Sequence, residues 1–308
     1  MEKKAFGLIS LSVLTTGIFW AAVSYLPGFI DFSLELPEKL KKLNPYASFC
    51  SSILMYLIAT LMLFLFLKKL PKLNGEPKRK MKVLEFLGWA CAMRGVAMML
   101  ALVGALFLVI VALCIKGPSK IMDIVSGMNP LVPRGSTTMV LNIILISVIA
   151  PVMEELMFRR LLLDVLRPFG DLVAILYSGI AFGLLHMNLS QIFYAAGLGL
   201  MLGYIMVKTN NIYCCMGLHA SLNIMTALAL PFFDKKTSQS LLFILGSIIA
   251  LSIAGIILFF INIRRVSLEK AKFRFSVPVN AKLVLLNLGT IPYAVLCLAV
   301  SVYAIYIL

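Results

Sequence analysis

In this chain of 308 residues only two are histidine, His186 and His219, and both lie in apolar stretches. A second polar cluster interrupts the apolar run 139–163, MVLNIILISVIAPVMEELMFRRLLL, where Glu154 and Glu155 stand side by side ahead of Arg159 and Arg160. On a helix, Glu155 and Arg159 are four apart with the acid first, the favourable order for an ion pair. Glu154 is rotated about 100° from Glu155, so it faces elsewhere and has no local partner. His219 precedes Asn223 by four residues, which puts both on one helical face. These residue types offer a specific chemistry. A carboxylate and an imidazole can take the proton of a water as it attacks a carbonyl. A second imidazole and an amide can donate hydrogen bonds to the oxyanion that forms. The sum would be hydrolysis without a covalent intermediate. A zinc site from Glu154, His186 and His219 stays open as an alternative, although the His-Glu-x-x-His signature is absent. Ser221 has no base beside it in sequence.

The elements that must position these groups are membrane helices. The composition is 61% hydrophobic and 13% charged, with a mean hydropathy of +1.01. That excludes an ordinary soluble domain and predicts a polytopic all-α bundle of eight to nine transmembrane helices, forming one domain over 1–308. Carboxylates in such a setting cost a few kcal/mol each on insertion scales, so they need a partner or a task. The net charge of +15 fits basic loops facing anionic lipid, with no soluble basic domain left over for nucleic acid. Six cysteines lie in or beside apolar segments without metal-type spacing and imply no disulfide framework.

Hydropathy predicts spans at 5–26, 49–67, 95–115, 139–163, 172–187, 192–207, 212–230, 241–263 and 283–308. Pro27 and Pro231 are expected to end the first and seventh. The first lacks a small-residue cleavage site and is read as a retained helix. Residues 36–42 read as a short interfacial helix, and 83–94 as a segment running along or up to the interface. Arg94 either snorkels from it or takes part in substrate binding. Pro151 should kink the fourth span just before Glu154. Ala195, Gly199 and Gly203 form a small-residue face for close packing. The loop sequence LVPRGS at 131–136 is that of an engineered thrombin site and is set aside from function. Basic residues concentrate in 68–82, 159–167 and 264–282. That predicts a cytoplasmic N-terminus, with the Glu154 end of the fourth span near the cytoplasmic face. If the fifth span starts at Leu172, His186 lies about 21 Å deeper than Glu154, unless that span is tilted, Pro151 drops Glu154 inward, or a cavity reaches in from the cytoplasm.

Glu154-Glu155-x-x-x-Arg159, Phe182-x-x-x-His186 and His219-x-x-x-Asn223 together resemble the three motifs of the CPBP (Abi) family of intramembrane glutamic endopeptidases, which includes the type II CAAX prenyl proteases. The resemblance spans roughly 151–226, within core helices at 139–230. It implies that Glu154 and His186 activate water, that His219 and Asn223 hold the oxyanion, and that Glu155 and Arg159 are a supporting pair, with no cofactor. It implies a membrane-associated peptide or lipidated protein as substrate. Non-catalytic scaffold or bacteriocin-immunity members form the alternative, though they often lack a motif residue and all six are present here. A proton-relay transporter is a third reading, for which the sequence shows no inverted repeat.

Overall fold

A computed structural model describes residues 2–29, 44–72, 80–127, 139–234, 238–263, 287 and 289–307. Every regular element among them is helical: α1 (Glu2–Phe29), α2 (Asn44–Leu67), α3 (Val83–Lys116), the short α4 (Ile121–Gly127), α5 (139–166), α6 (Asp171–Leu185), α7 (Leu189–Thr209), α8 (Ile212–Asp234), α9 (Ser238–Ile263) and α10 (Thr290–Ile307). Among the described residues, six helices are long and apolar enough to cross a membrane, and two further apolar helices, Asp171–Leu185 and Ile249–Ile261, are shorter. The expected interfacial segment at 36–42, the LVPRGS loop at 131–136 and the basic stretch 264–282 lie outside the described residues.

The outer surface fits hydrocarbon. On α3, Leu102, Leu106 and Ile110 recur every fourth residue and are 58%, 66% and 57% exposed. A ridge of that kind would be a liability in water and is ordinary against lipid tails. Inside, small residues set the spacing. A Cβ added to Gly199 of α7 would fall 2.8 Å from the Gly179 Cα of α6, and one added to Gly183 would fall 2.7 Å from the Ala196 nitrogen. The small face expected on α7 therefore seats α6, as close helix approach in a membrane requires. Gly95 of α3 is packed in the same way against the α9 backbone, where its Cβ would lie 2.7 Å from the Ile256 nitrogen.

Three expectations change. Residues 83–94 are the first third of one continuous α3 of 34 residues, about 51 Å long and well beyond the core thickness. Pro27 and Pro231 lie inside α1 and α8, each within a turn of the C-terminal end, where a missing N–H removes only one ladder bond. Of the ninth predicted span, Thr290–Ile307 is helical, and 283–286 lies outside the described residues.

The third change matters most. The arginines of 159–167, counted with a cytoplasmic turn, stand on helix and at its end. α5 continues about 18 Å past Glu154 before the turn at Arg167–Phe169, and its three arginines pair with acids. Arg159 Nε lies 3.0 Å from Glu155 Oε2, Arg160 Nη1 3.2 Å from Asp164 Oδ2, and Arg167 Nε 3.3 Å from Asp171 Oδ1. Arginines counted as turn charge are thus each paired with an acid, two of them buried and Arg160 partly exposed. From Asp171, α6 climbs back about 22 Å to His186. The two lengths nearly cancel, which brings His186 back towards the level of Glu154 and removes the expected depth difference.

Candidate active site

α5 is built around Pro151. The helix widens to π geometry over Leu145–Ile149 and again over Leu156–Leu163. In the first stretch the Ala150 N–H bonds to the Leu145 carbonyl. The next bond in that register would run from residue 151 to the Ile146 carbonyl, and proline has no hydrogen to give. The Asn223 side chain supplies it: Nδ2 donates to the Ile146 oxygen at 2.8 Å. The expected break at Pro151 is therefore a π-widened segment whose orphaned carbonyl is capped by α8. Single-turn π insertions of this kind recur at functional sites.

Beyond the proline, Glu154 and Glu155 point to different neighbours, as their 100° offset requires. Glu154 accepts a hydrogen bond from the Tyr56 hydroxyl of α2 at 2.7 Å. Tyr56 is itself held edge-on by Trp20 of α1, with ring centroids 4.9 Å apart. The other oxygen, Glu154 Oε2, lies 3.7 Å from His219 Nε2, beyond direct hydrogen bonding. Glu155 is fully buried between Arg159 and His219: Oε2 faces Arg159, and Oε1 accepts from His219 Nδ1 at 2.9 Å. That contact fixes the His219 ring and leaves Nε2 turned towards Glu154.

Phe182 joins the second and third motifs. Its ring centroid lies 5.0 Å from the His186 ring and 5.7 Å from the His219 ring, and the Arg159 guanidinium sits over its face at 5.0 Å. His186, at the end of α6, has Nδ1 at 3.0 Å from the Phe182 carbonyl. A carbonyl only accepts, so Nδ1 carries the proton in that bond, and in the neutral ring Nε2 is left as an acceptor. α6 can stop there because Met187 takes a left-handed φ of 48° and Asn188 caps α7, accepting from the Ser190 N–H at 3.0 Å.

The free faces of these groups meet in a cavity of about 420 Å³. Glu154, His186, His219 and Asn223 line it, whereas Glu155 and Arg159 stand behind its wall. Tyr56, Tyr194 and Thr226 are among the lining residues to which sequence assigned no role. Tyr56 and Tyr194 are ordinary aromatics in apolar spans, and nothing in their local sequence marks them. Thr226 did carry a signal, since it lies seven residues from His219 and hence on the same face of α8. Arg94 does not snorkel: its guanidinium lines the cavity and Nη1 donates to Thr226 Oγ1 at 3.0 Å. Among the described residues, no three of His, Cys, Asp and Glu are grouped so as to hold a metal ion.

No curated protein and no solved structure matches the chain. A family model does match, over less than a third of its length, and the family is one of proteases. The matched segment is 136–225, which contains Glu154, Glu155, Arg159, His186, His219 and Asn223, and through it the chain is similar to the family described as type II CAAX prenyl endopeptidase Rce1-like, in keeping with the CPBP resemblance of its motifs.

Proposed function

We propose that the protein is an intramembrane endopeptidase that uses Glu154 to activate water against a peptide bond of a membrane-associated substrate. The observation that carries this reading is the approach of Glu154 Oε2 to His219 Nε2 at the cavity wall, 3.7 Å apart, with each residue held from behind by a separate partner. Tyr56 occupies Glu154 Oε1 and leaves Oε2 for a water. The water oxygen attacks the scissile carbonyl carbon while its proton passes to Glu154, with His186 Nε2 accepting from the same water. The carbonyl oxygen becomes an oxyanion. It receives hydrogen bonds from the second N–H of Asn223 and from His219 Nε2, which donates while Nδ1 donates to Glu155 when the ring is an imidazolium. Collapse breaks the C–N bond, and Glu154 returns its proton to the leaving amine.

Two π stretches, a proline and a buried acid pair make α5 costly to build, and such departures from a regular membrane helix are typical of function. The substrate class is a membrane peptide or lipidated protein, with the prenylated CAAX type as the finer proposal. Nine crossings would result if α6, α8 and α9 also span. The bias of basic residues in 68–82 and 264–282 supports a cytoplasmic N-terminus and a cavity opening to the cytoplasmic side.

The test is Glu154→Gln, which keeps the shape and removes the base. Peptides are compared in membranes carrying the wild-type or the variant protein, alongside a prenylated reporter. The expected result is loss of cleavage by about 10²-fold or more with unchanged thermal unfolding. Full cleavage by a folded Glu154→Gln protein would sink the mechanism. A chelator arm separates the zinc alternative, which alone predicts loss of activity on metal removal. A non-catalytic scaffold predicts identical peptide profiles from both proteins.

A further inference from the structure

Glu154 and His186, the two groups assigned to the water, are held by helices that lie outside the matched segment 136–225. On the Glu154 side, Trp20 of α1 packs edge-on against Tyr56 of α2, with ring centroids 4.9 Å apart, and the Tyr56 hydroxyl donates to Glu154. On the His186 side the holder is α10. The buried Tyr293 donates from its hydroxyl to the Ala181 carbonyl of α6 at 2.7 Å. The next carbonyl, that of Phe182, receives His186 Nδ1 at 3.0 Å. Two consecutive carbonyls near the end of α6 thus each carry a side-chain hydrogen bond. The chain tightens just beyond them, where the His186 N–H reaches the Gly183 oxygen at 3.3 Å and the Met187 N–H reaches the Leu184 oxygen at 3.0 Å.

α10 is fastened to α6 at a second point and to α1 as well. Thr290 Oγ1 lies 3.2 Å from the hydroxyl of Tyr177, a residue one helical turn before Ala181 and on the same face of α6. Asn287 fixes Thr290: its Nδ2 donates to Oγ1 at 2.8 Å, and its Oδ1 accepts from the Thr290 N–H at 2.9 Å. Towards α1, the Tyr293 ring lies directly on Gly17, where an added Cβ would fall 2.6 Å from Cε2. Gly17 and Trp20 are neighbours on one side of α1, a turn apart. The ring that holds the His186 end of α6 therefore rests on the helix that steadies Tyr56. We propose that α1 and α10 form one bracket that sets Glu154 and His186 against each other across the cavity, with Tyr293 as the positioning residue on the His186 side. In a neutral imidazole the bond made by one nitrogen decides which nitrogen carries the proton. A Phe182 carbonyl held in register keeps that proton on Nδ1 and leaves Nε2 to accept from the water. This rests on the endopeptidase reading above and extends it to helices outside the segment that carries the motifs.

With only two histidines in the chain, the His186 ring can be read directly. Full-length protein carrying isotope-labelled histidine is examined in detergent by nuclear magnetic resonance, at a pH where the ring is neutral, and His219→Gln assigns the signals. The two ring nitrogens report which of them is protonated. The expected result is the Nδ1–H form of His186 in the wild-type protein, and a rise of the Nε2–H form by about threefold or more in Tyr293→Phe, the scale of one hydrogen bond. Thr290→Val cuts the other fastening of α10 to α6 and should lower the unfolding temperature without moving the His186 spectrum. In cleavage of a prenylated reporter, Tyr293→Phe should lower kcat about tenfold to 10²-fold at unchanged KM, the scale of a small misplacement. Combined with Trp20→Leu, the two losses should be smaller than their product, because both act on one geometry. If Tyr293→Phe does not fold, Gly17→Ala, whose Cβ displaces the same ring, carries the test by the same readouts. An Nε2–H ring already in the wild-type protein, an unchanged spectrum in folded Tyr293→Phe, an equal spectral shift in Thr290→Val, or rate losses that simply multiply overturns the proposal. Should the protein cleave no reporter, the spectra still decide what Tyr293 does to His186, so the two readings fail separately.

Discussion

Replacing Glu155 by methionine separates two roles that the structure gives to one carboxylate. Glu155 and Arg159 are both 0% exposed at the side chain and 3.0 Å apart. Removing one partner of such a pair strands the other as a buried charge, at about 3–5 kcal/mol. For a chain of this size that is a fall of roughly 5–15 °C in the unfolding temperature. The double change Glu155→Met with Arg159→Met removes both charges and should recover most of that stability, since an apolar pair of similar volume is often as stable as a buried ion pair. Activity should not recover with it. His219 Nδ1 loses its 2.9 Å acceptor in both variants, and a loosened oxyanion donor costs about 10²–10³-fold in rate. The assay pairs detergent unfolding curves with cleavage of a prenylated reporter. A single variant that loses less than about 1 kcal/mol would refute the buried-charge argument. A double variant that cleaves at the wild-type rate would refute the orienting role of Glu155.

Three further outcomes follow from particular contacts. Tyr56→Phe deletes the 2.7 Å bond to Glu154 and should lower kcat about tenfold while costing about 1–2 kcal/mol of stability, measured by the same two assays. Asn223→Ala leaves the Ile146 carbonyl without its donor, at about 1–3 kcal/mol. That cost should shrink by about 1 kcal/mol in a Pro151→Ala background, which restores a backbone N–H to the π register; equal costs in both backgrounds would dissociate Asn223 from the proline. Gly199→Val drives a side chain into Gly179, where even a Cβ would sit 2.8 Å from Cα. It should destabilise by at least about 1–3 kcal/mol and reduce cleavage through displacement of α6, which ends in His186, with unfolding temperature as the check.

The grouping of the candidate site residues was legible in residue types and spacing. Two histidines in apolar helices, an asparagine one turn away and a glutamate pair with an arginine four residues on are local patterns. Helical periodicity turns such patterns into shared or separate faces whatever surrounds them. The Glu155–Arg159 pair and the small face of α7 follow from the same short-range geometry. So does the division of labour between two adjacent acids, because neighbours on a helix cannot face the same way.

Tertiary structure decided what the periodicity could not reach. Whether the arginines of 159–167 stand as uncompensated turn charge depended on Asp164 and Asp171, which pair with Arg160 and Arg167. The depth of Glu154 relative to His186 turned on where α5 ends. Tyr56 reached Glu154 across 98 residues of chain, and Asn223 reached Ile146 across 77. Arg94 met Thr226 across 132, which made a groove residue of one that looked interfacial. A sequence records the period of each helix but not the rotation at which helices meet. The partners of polar groups that no local neighbour can satisfy are set by that rotation.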